Sequence, residues 1–302
     1  MKNDNTPVDI DFAEAAVPHY ARRGIVTMFL IMLGFTFFSA SMWVGKELAD
    51  GLDFGGFIIS MIIGGLILSL YTGLLGYVGA KTGLSLDLLS QRAFGEKGSY
   101  LPSAMTSFTQ IGWFSVGSFV SGGTATPNFA RFAKNGKSGA ITTVVAFFIG
   151  NSLMFFFGAV SSIFVGGNDI FEVMIRLNLF YLAVLVLGLN IWTTNDNALY
   201  TAGLGLANIF HQRKKPMVLL SGIIGTVASV WLYYNFCGWL NILNCTLPPV
   251  GMILVLAYFM NKEDFETDQP KLKTVDWFAV AGVILGARLH PLLHTRQLGL
   301  SN

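Results

Sequence analysis

The chain has 302 residues, of which 53% are hydrophobic and only 12% charged. Soluble domains carry roughly 25% charged residues; half that share, gathered between apolar runs, excludes an ordinary soluble domain and reads as an all-α, polytopic membrane protein. The net charge of +2 says nothing about nucleic acid, and what matters is where Lys and Arg fall.

Residues 1–23 form a polar tail that ends in Arg22-Arg23 and shows no cleavable signal pattern. Residues 24–45 read as the first span. Its second half collects Gly34, Thr36, Ser39, Ala40 and Ser41, which fits either a break in the helix or a close helix contact. The loop 46–53 is net acidic. A second span over about 54–80 is rich in glycine (Gly64, Gly65, Gly73, Gly76, Gly79), which lets helices approach closely. A loop with Lys81, Arg92 and Lys97 against Asp87 and Glu96 follows.

Residues 99–130 are unlike the other spans. Gln110 and Trp113 lie one turn apart, and the stretch after Phe119, with Gly122, Gly123 and Pro127, is a poor helix. A basic loop (Arg131, Lys134, Lys137) leads to a span at 139–165, and a long helix is expected over 178–209, ending before Arg213-Lys214-Lys215. Two spans follow, about 217–236 and 239–260, and Pro248-Pro249 is expected to break or kink the second. The apolar stretch 275–286 is too short to cross ~30 Å of hydrocarbon at about 1.5 Å per residue. Residues 287–302 read as an unstructured tail, where Pro291 between His290 and His294 argues against a metal site.

Within the long helix, residues 187–200 read LGLNIWTTNDNALY. Asn190, Thr193, Thr194 and Asn197 fall at i, i+3, i+4 and i+7, so they share one helical face, and Thr201 extends it. Such a stripe is either glue to a neighbouring helix or a site for a small cation or polar ligand. The Asn190 carbonyl and the Thr193 and Thr194 hydroxyls can bring three oxygens to one point, which suits a hard cation such as sodium. Asp196, the only acid in the run, points elsewhere. The two cysteines, Cys237 and Cys245, have no partners for a metal site. Enzyme signatures such as HExxH, GxSxG and a Walker loop are absent, and Asp196 has no paired acid.

Charge gives a topology. If Arg22-Arg23 lie in the cytoplasm, two spans return Lys81–Lys97 to that side, and the basic loops at 131–137 and 213–215, two spans apart, belong there too. Residues 99–130 must then cross zero or two times. Two crossings need about 40 residues and about 30 are present, so either these residues form a re-entrant or half-spanning hairpin or the charge rule is broken here.

The strings MLGFTFFSASMW (32–43), GYVGAKTGLS (76–85), FTQIGWFSVG (108–117), GSFVSGGT (117–124), FARF (129–132), FFIGNSLMF (147–155), VLGLNIWTTNDNALY (186–200), GIIGTV (222–227) and LPPVG (247–251) resemble the cytosine permeases of the nucleobase–cation symporter family over most of residues 18–286. The resemblance implies a twelve-span bundle built on two inverted five-helix repeats, with substrate and ion near the midplane beside broken helices. It implies that Trp113 and Phe119 sandwich a pyrimidine ring, that Gln110 bonds its polar edge, and that Ser118, Asn195 and Phe38 complete the pocket. Sodium would take carbonyls near Gly34 and Phe37, the Asn190 carbonyl, and the Thr193 and Thr194 hydroxyls. The implied coupling ion is sodium or a proton, with no other cofactor. The implied partners are a small nucleobase and the lipid bilayer, not nucleic acid, and the implied state is a monomer in the inner membrane with a cytoplasmic N-terminus. The chain departs from the family in one large respect. Between Trp113 and Phe119 the family has the end of its third span, two whole spans and the start of its sixth, whereas here Gly117 joins the halves directly; the last span is also absent. The expectation is therefore an incomplete version of the five-plus-five symporter fold: a cytoplasmic tail (1–23), a permease domain (24–286) with an internal deletion near 115–119, and a non-matching tail (287–302). Its function is secondary import of a nucleobase, cytosine foremost, with a non-transporting remnant as the alternative.

Overall fold

The computed structural model describes residues 12–36, 40–116, 120–166, 170–267 and 269–298. For some residues inside helices, Trp113, Asn190, Thr193 and Thr194 among them, it describes the backbone alone. Among the described residues the chain is helical: α1 (Ile25–Thr36), α2 (Ala40–Gly51), α3 (Phe54–Thr82), α4 (Leu86–Phe94), α5 (Tyr100–Val116), α6 (Thr126–Ala130), α7 (Gly136–Val165), α8 (Ile170–Arg176), α9 (Phe180–Phe210), α10 (Lys214–Tyr234), α11 (Phe236–Met260), α12 (Lys262–Glu266) and α13 (Trp277–Leu298). A 3-10 turn over Val120–Ala125 precedes α6. An isolated bridge ties Arg23 to Ala133.

Local chemistry sets several helix ends. The Asp53 carboxylate accepts from the Gly56 amide at 3.2 Å to start α3, and Asn135 does the same for Ser138 at 2.8 Å to start α7. Helix α3 stops at Gly83, whose φ of 75° lies in the left-handed region. A side chain there would also strike the Arg22 guanidinium and the Val17 backbone, so Gly83 is what lets the N-terminal tail lie against the end of α3.

Among the described residues three helices, α3, α7 and Lys214–Leu232 of α10, are long and apolar enough to cross a membrane by length and composition. They pack in two groups. In the first, α1, α2 and α3 all lie on α7, and α6 lies on α3; in the second, α5, α9 and α10 pack mutually. Between lipid-soluble helices there is little hydrophobic drive, so small residues that admit close approach hold them together. A Cβ at Gly76 would sit 3.1 Å from the Gly139 carbonyl, and one at Gly139 would sit 2.7 Å from the Gly76 carbonyl, so α3 and α7 touch backbone to backbone. The α2–α7 crossing is equally tight at Gly45 and Gly158. Helix α11 pairs with α13 and leans on α3, α4 and α5. Leu75, Leu86, Leu89, Phe94, Leu254 and Tyr258 form the largest buried apolar cluster where these helices meet.

Two expectations are corrected. Residues 287–298 are not an unstructured tail, because α13 runs 22 residues to Leu298; its apolar part, Trp277–Arg288, is a short one, as expected for the stretch from 275. Its start is capped, with Asp276 accepting from the Phe278 and Ala279 amides at 3.1 and 3.3 Å, and Gly282 and Gly286 lie against Ile253 and Pro249 of α11. Of the break or kink expected at the proline pair, the break is not seen, for α11 is continuous with Pro248 and Pro249 inside it. Contact with Tyr71 at Gly251 and with α13 at Pro249 supports the backbone there. The first span is two helices, α1 and α2, on either side of residues 37–39, which lie outside the described residues. The close contact with α7 is made by both halves.

Candidate functional site

The second half of α5 is a polar strip. Thr106 and Thr109 return their hydroxyls to the Pro102 and Met105 carbonyls at 2.8 and 2.6 Å, and Ser107 donates to the Ala202 carbonyl of α9 at 3.1 Å. A Cβ on Gly205 of α9 would lie 2.8 Å from the Ser103 carbonyl, and one on Gly112 would overlap the Trp239 ring of α11. Helix α5 is thus clamped between α9 and α11. Gln110 lies in this clamp, only 5% exposed.

Beyond α5 the backbone is irregular, as the glycines and Pro127 require. The Val120–Ala125 turn is fastened by the Tyr71 hydroxyl paired with Thr124 at 2.8 Å, and by Thr126, which donates to the Gly123 carbonyl at 2.6 Å. The expected hairpin over 99–130 is therefore one 17-residue helix, a turn and the five-residue α6.

The expected site residues fall as follows. Gln110 and Trp113 share α5, and Asn195, half-buried, sits on α9; α5 packs on α9, with Ser103, Ser107 and Ile111 against residues 202–208. Asn190, Thr193 and Thr194 are on the same α9 face as Thr201, which is buried. Gly34 is exposed in the last turn of α1, with open space where a side chain would go. Helix α1 packs on α7 and α6 and shares no extensive interface with α9 among the described residues. Phe37, Phe38, Ser118 and Phe119 lie outside the described residues.

A second polar cluster, which the sequence reading passed over as loop charge, lies at the end of the bundle carrying the N-terminal tail. Asp87, on α4 between two long helices, is buried and accepts from the Ser103 hydroxyl at 2.6 Å. Asn208 of α9 donates to Ser103 at 2.8 Å and to Ser99 at 3.0 Å, and Gln91 donates to Asn208 at 2.6 Å. The Leu86 amide at the start of α4 donates to Asn128 of α6 at 2.8 Å. Arg131, just past α6, is fully buried and donates to the Asn128 carbonyl, the Phe12 carbonyl at 2.8 Å and the Tyr200 hydroxyl of α9 at 2.7 Å. Burial pushes the Asp87 carboxyl up to about 6; the Ser103 hydroxyl and the Arg131 charge oppose this and recover only part of it. The signal available in the sequence was slight: Ser85 two residues before Asp87, and Asn128 one turn before Arg131.

A family model described as a permease for cytosine/purines, uracil, thiamine and allantoin matches residues 16–125 and 115–287. The chain belongs to this permease family. The cytosine permeases of Escherichia coli strains K12, O6:H1 and O157:H7 are each 37% identical to it over 369 aligned positions, covering 92% of this chain and 88% of theirs. The permease is shorter than these relatives, since 369 aligned positions exceed its 302 residues. Among solved structures its fold is that of Mhp1, a nucleobase-cation-symport-1 family transporter in a closed conformation with bromovinylhydantoin bound. That match has a TM-score of 0.71 at 14% identity and covers 92% of this chain and 93% of that one.

Proposed function

We propose that the chain imports a nucleobase, cytosine foremost, across the inner membrane, driven by sodium or protons, with its N-terminus in the cytoplasm. The observation that carries this reading is the 37% identity to cytosine permeases over most of both chains. The flat ring is stacked between Trp113 and Phe119, with Gln110 bonding its edge and Ser118, Asn195 and Phe38 closing the pocket. The burial of Gln110 favours this assignment, because an amide withdrawn from water gains most from a ligand partner. On this reading sodium takes carbonyls near Gly34 and Phe37, the Asn190 carbonyl, and the Thr193 and Thr194 hydroxyls, an all-oxygen set suited to a hard cation, and binding requires α1 and α9, which share no extensive interface here, to come together. The test is cytosine binding to the purified chain in lipid: wild type binds and Trp113→Ala binds much more weakly. Equal binding by both removes Trp113 from the pocket.

A second reading is favoured by one observation. The alignment to the relatives is longer than the chain, and the family model matches in two overlapping pieces that meet at 115–125. On that reading the permease has lost internal spans and with them transport. Cytosine uptake into proteoliposomes under an inward sodium or proton gradient decides: robust uptake refutes the loss.

A further inference from the structure

The two helix groups meet at the tail end of the bundle through side chains rather than through a broad helix interface. Arg131, Asn128 and the N-terminal tail belong to the first group; Ser103 on α5 and Tyr200 and Asn208 on α9 belong to the second; α4 lies between them. Two polar bridges span the join: Arg131 bonds Tyr200 directly, and Asn128 holds the Leu86 amide of α4, from which Asp87 continues through Ser103 to Asn208. Any motion that separates the groups at this end must break the first bridge and a link of the second, beside Asp87, where water then enters.

We propose that this cluster is a proton-sensitive clasp, with Asp87 as the proton-binding group that fastens the two helix groups at the tail end. The sign follows from burial. A carboxylate withdrawn from water is costly in its charged form, so the closed clasp prefers Asp87 protonated and the open, hydrated clasp tolerates it charged. Proton binding therefore holds the clasp shut, and opening releases the proton. The direction of the Asp87 shift, up from 3.8 to about 6, agrees.

The charged group that acts on Asp87 from the neighbouring elements is Arg131. The other polar groups of the cluster are Ser99 just before α5, Ser103 on α5, Gln91 on α4, and Asn208 and Tyr200 on α9, amides and hydroxyls that bring no second charge of the kind Arg131 does. Nearby titratable groups are engaged elsewhere. Arg22 donates to the Val17 and Ala80 carbonyls, Arg92 to the Asp264 and Thr267 carbonyls, His211 meets the Tyr100 hydroxyl, and Lys214 lies over the Tyr200 ring.

The experiment is amide hydrogen exchange of the full chain in lipid nanodiscs, read on α4 and on residues 200–210 and corrected for intrinsic pH dependence. It uses no substrate, so failure of cytosine binding leaves its outcome interpretable. From the shift of 3.8 to about 6, the open population rises about tenfold between pH 5 and 7.5 and levels off above about pH 6.5. Protection of both segments falls accordingly. Asp87→Asn, which cannot ionise, keeps the high protection at every pH. Tyr200→Phe removes one bridge and lowers protection at every pH without moving the midpoint. Ser103→Ala, which retains the carboxyl but deletes its donor, moves the midpoint upward and serves if Asp87→Asn does not fold. A wild-type profile flat over this range overturns the proposal. So does an Asp87→Asn profile with the wild-type midpoint.

Discussion

Gly158→Ala tests whether backbone contact between α2 and α7 holds the two halves of the first span in place. A Cβ at Gly158 would overlap the Met42 carbonyl oxygen and lie 2.6 Å from the carbonyl carbon and 2.7 Å from its Cα, whereas ordinary contact begins at 3.4 Å. All three obstacles are main chain, so no rotamer relieves them, and the helices must part by at least about 1 Å at that level. A gap of that size forfeits about a quarter to a half of the dispersion energy of the contacts it opens. Overpacking of this kind costs about 1–3 kcal/mol. The facing residue gives the reciprocal case, since a Cβ on Gly45 would lie 2.5 Å from the Phe155 Cα. Gly64→Ala is the control: it has nothing within 4 Å, and replacing a helical glycine with alanine gains up to about 1 kcal/mol. In thermal unfolding of the purified protein in detergent, Gly158→Ala and Gly45→Ala melt below wild type and Gly64→Ala at or above it. If Gly158→Ala melts together with Gly64→Ala, the close crossing does not exist and the reasoning fails.

Two further outcomes follow from the site and its supports. Thr193→Ala and Thr194→Ala should weaken the stimulation of cytosine binding by sodium more than they weaken binding in its absence, measured by titrating sodium against a fixed cytosine concentration; equal loss in both conditions would mean the hydroxyls only pack. Asn128→Ala leaves the Leu86 amide at the start of α4 without its side-chain acceptor, which should cost about 1 kcal/mol and raise amide exchange in α4 selectively.

The long spans were legible because their cues are local and redundant. For α3 and α7 an Asp or Asn cap, an apolar run of the right length and a closing glycine agree, and no tertiary contact had to be known. The irregular backbone after Phe119 was legible for the same reason, since glycine and proline act on their own residues. Pro248 and Pro249 show the limit of that logic: a local rule says break, and contacts from Tyr71 and α13, distant in sequence, keep α11 whole. The tail after 286 failed likewise: α13, which meets α11 at Gly282 and Gly286, continues through it. Asp87 and Arg131 were hidden for a different reason. A charged residue in a short polar stretch is usually solvated, and nothing local to 87 or 131 reports that 42 residues of separation close to a hydrogen bond between Asn128 and Leu86. Of the candidate site, the sequence pattern placed Gln110 and Trp113 one turn apart and the polar stripe on one face of α9. It could not say that α5 and α9 pack together, which depends on small residues such as Gly205 meeting Ser103.

Asp196 separates the two readings of function. It is exposed near the middle of α9, a 31-residue helix, and Leu189 and Trp192, 54% and 71% exposed, lie on neighbouring turns. An aspartate at the centre of a span costs about 3 kcal/mol on insertion. If spans present in the relatives are missing here, this carboxylate meets lipid, and Asp196→Asn removes a charge with no solvent and no partner. The variant then raises the yield of membrane-inserted protein and its melting point together. If a second chain or a water-filled cavity meets this face instead, the charge is already compensated. Asp196→Asn then leaves insertion unchanged and lowers cytosine uptake through the loss of that partner. Insertion yield and uptake moving in the same direction would contradict both accounts of α9, and with them the assignment of this helix as a span whose exposed face was built for a neighbour.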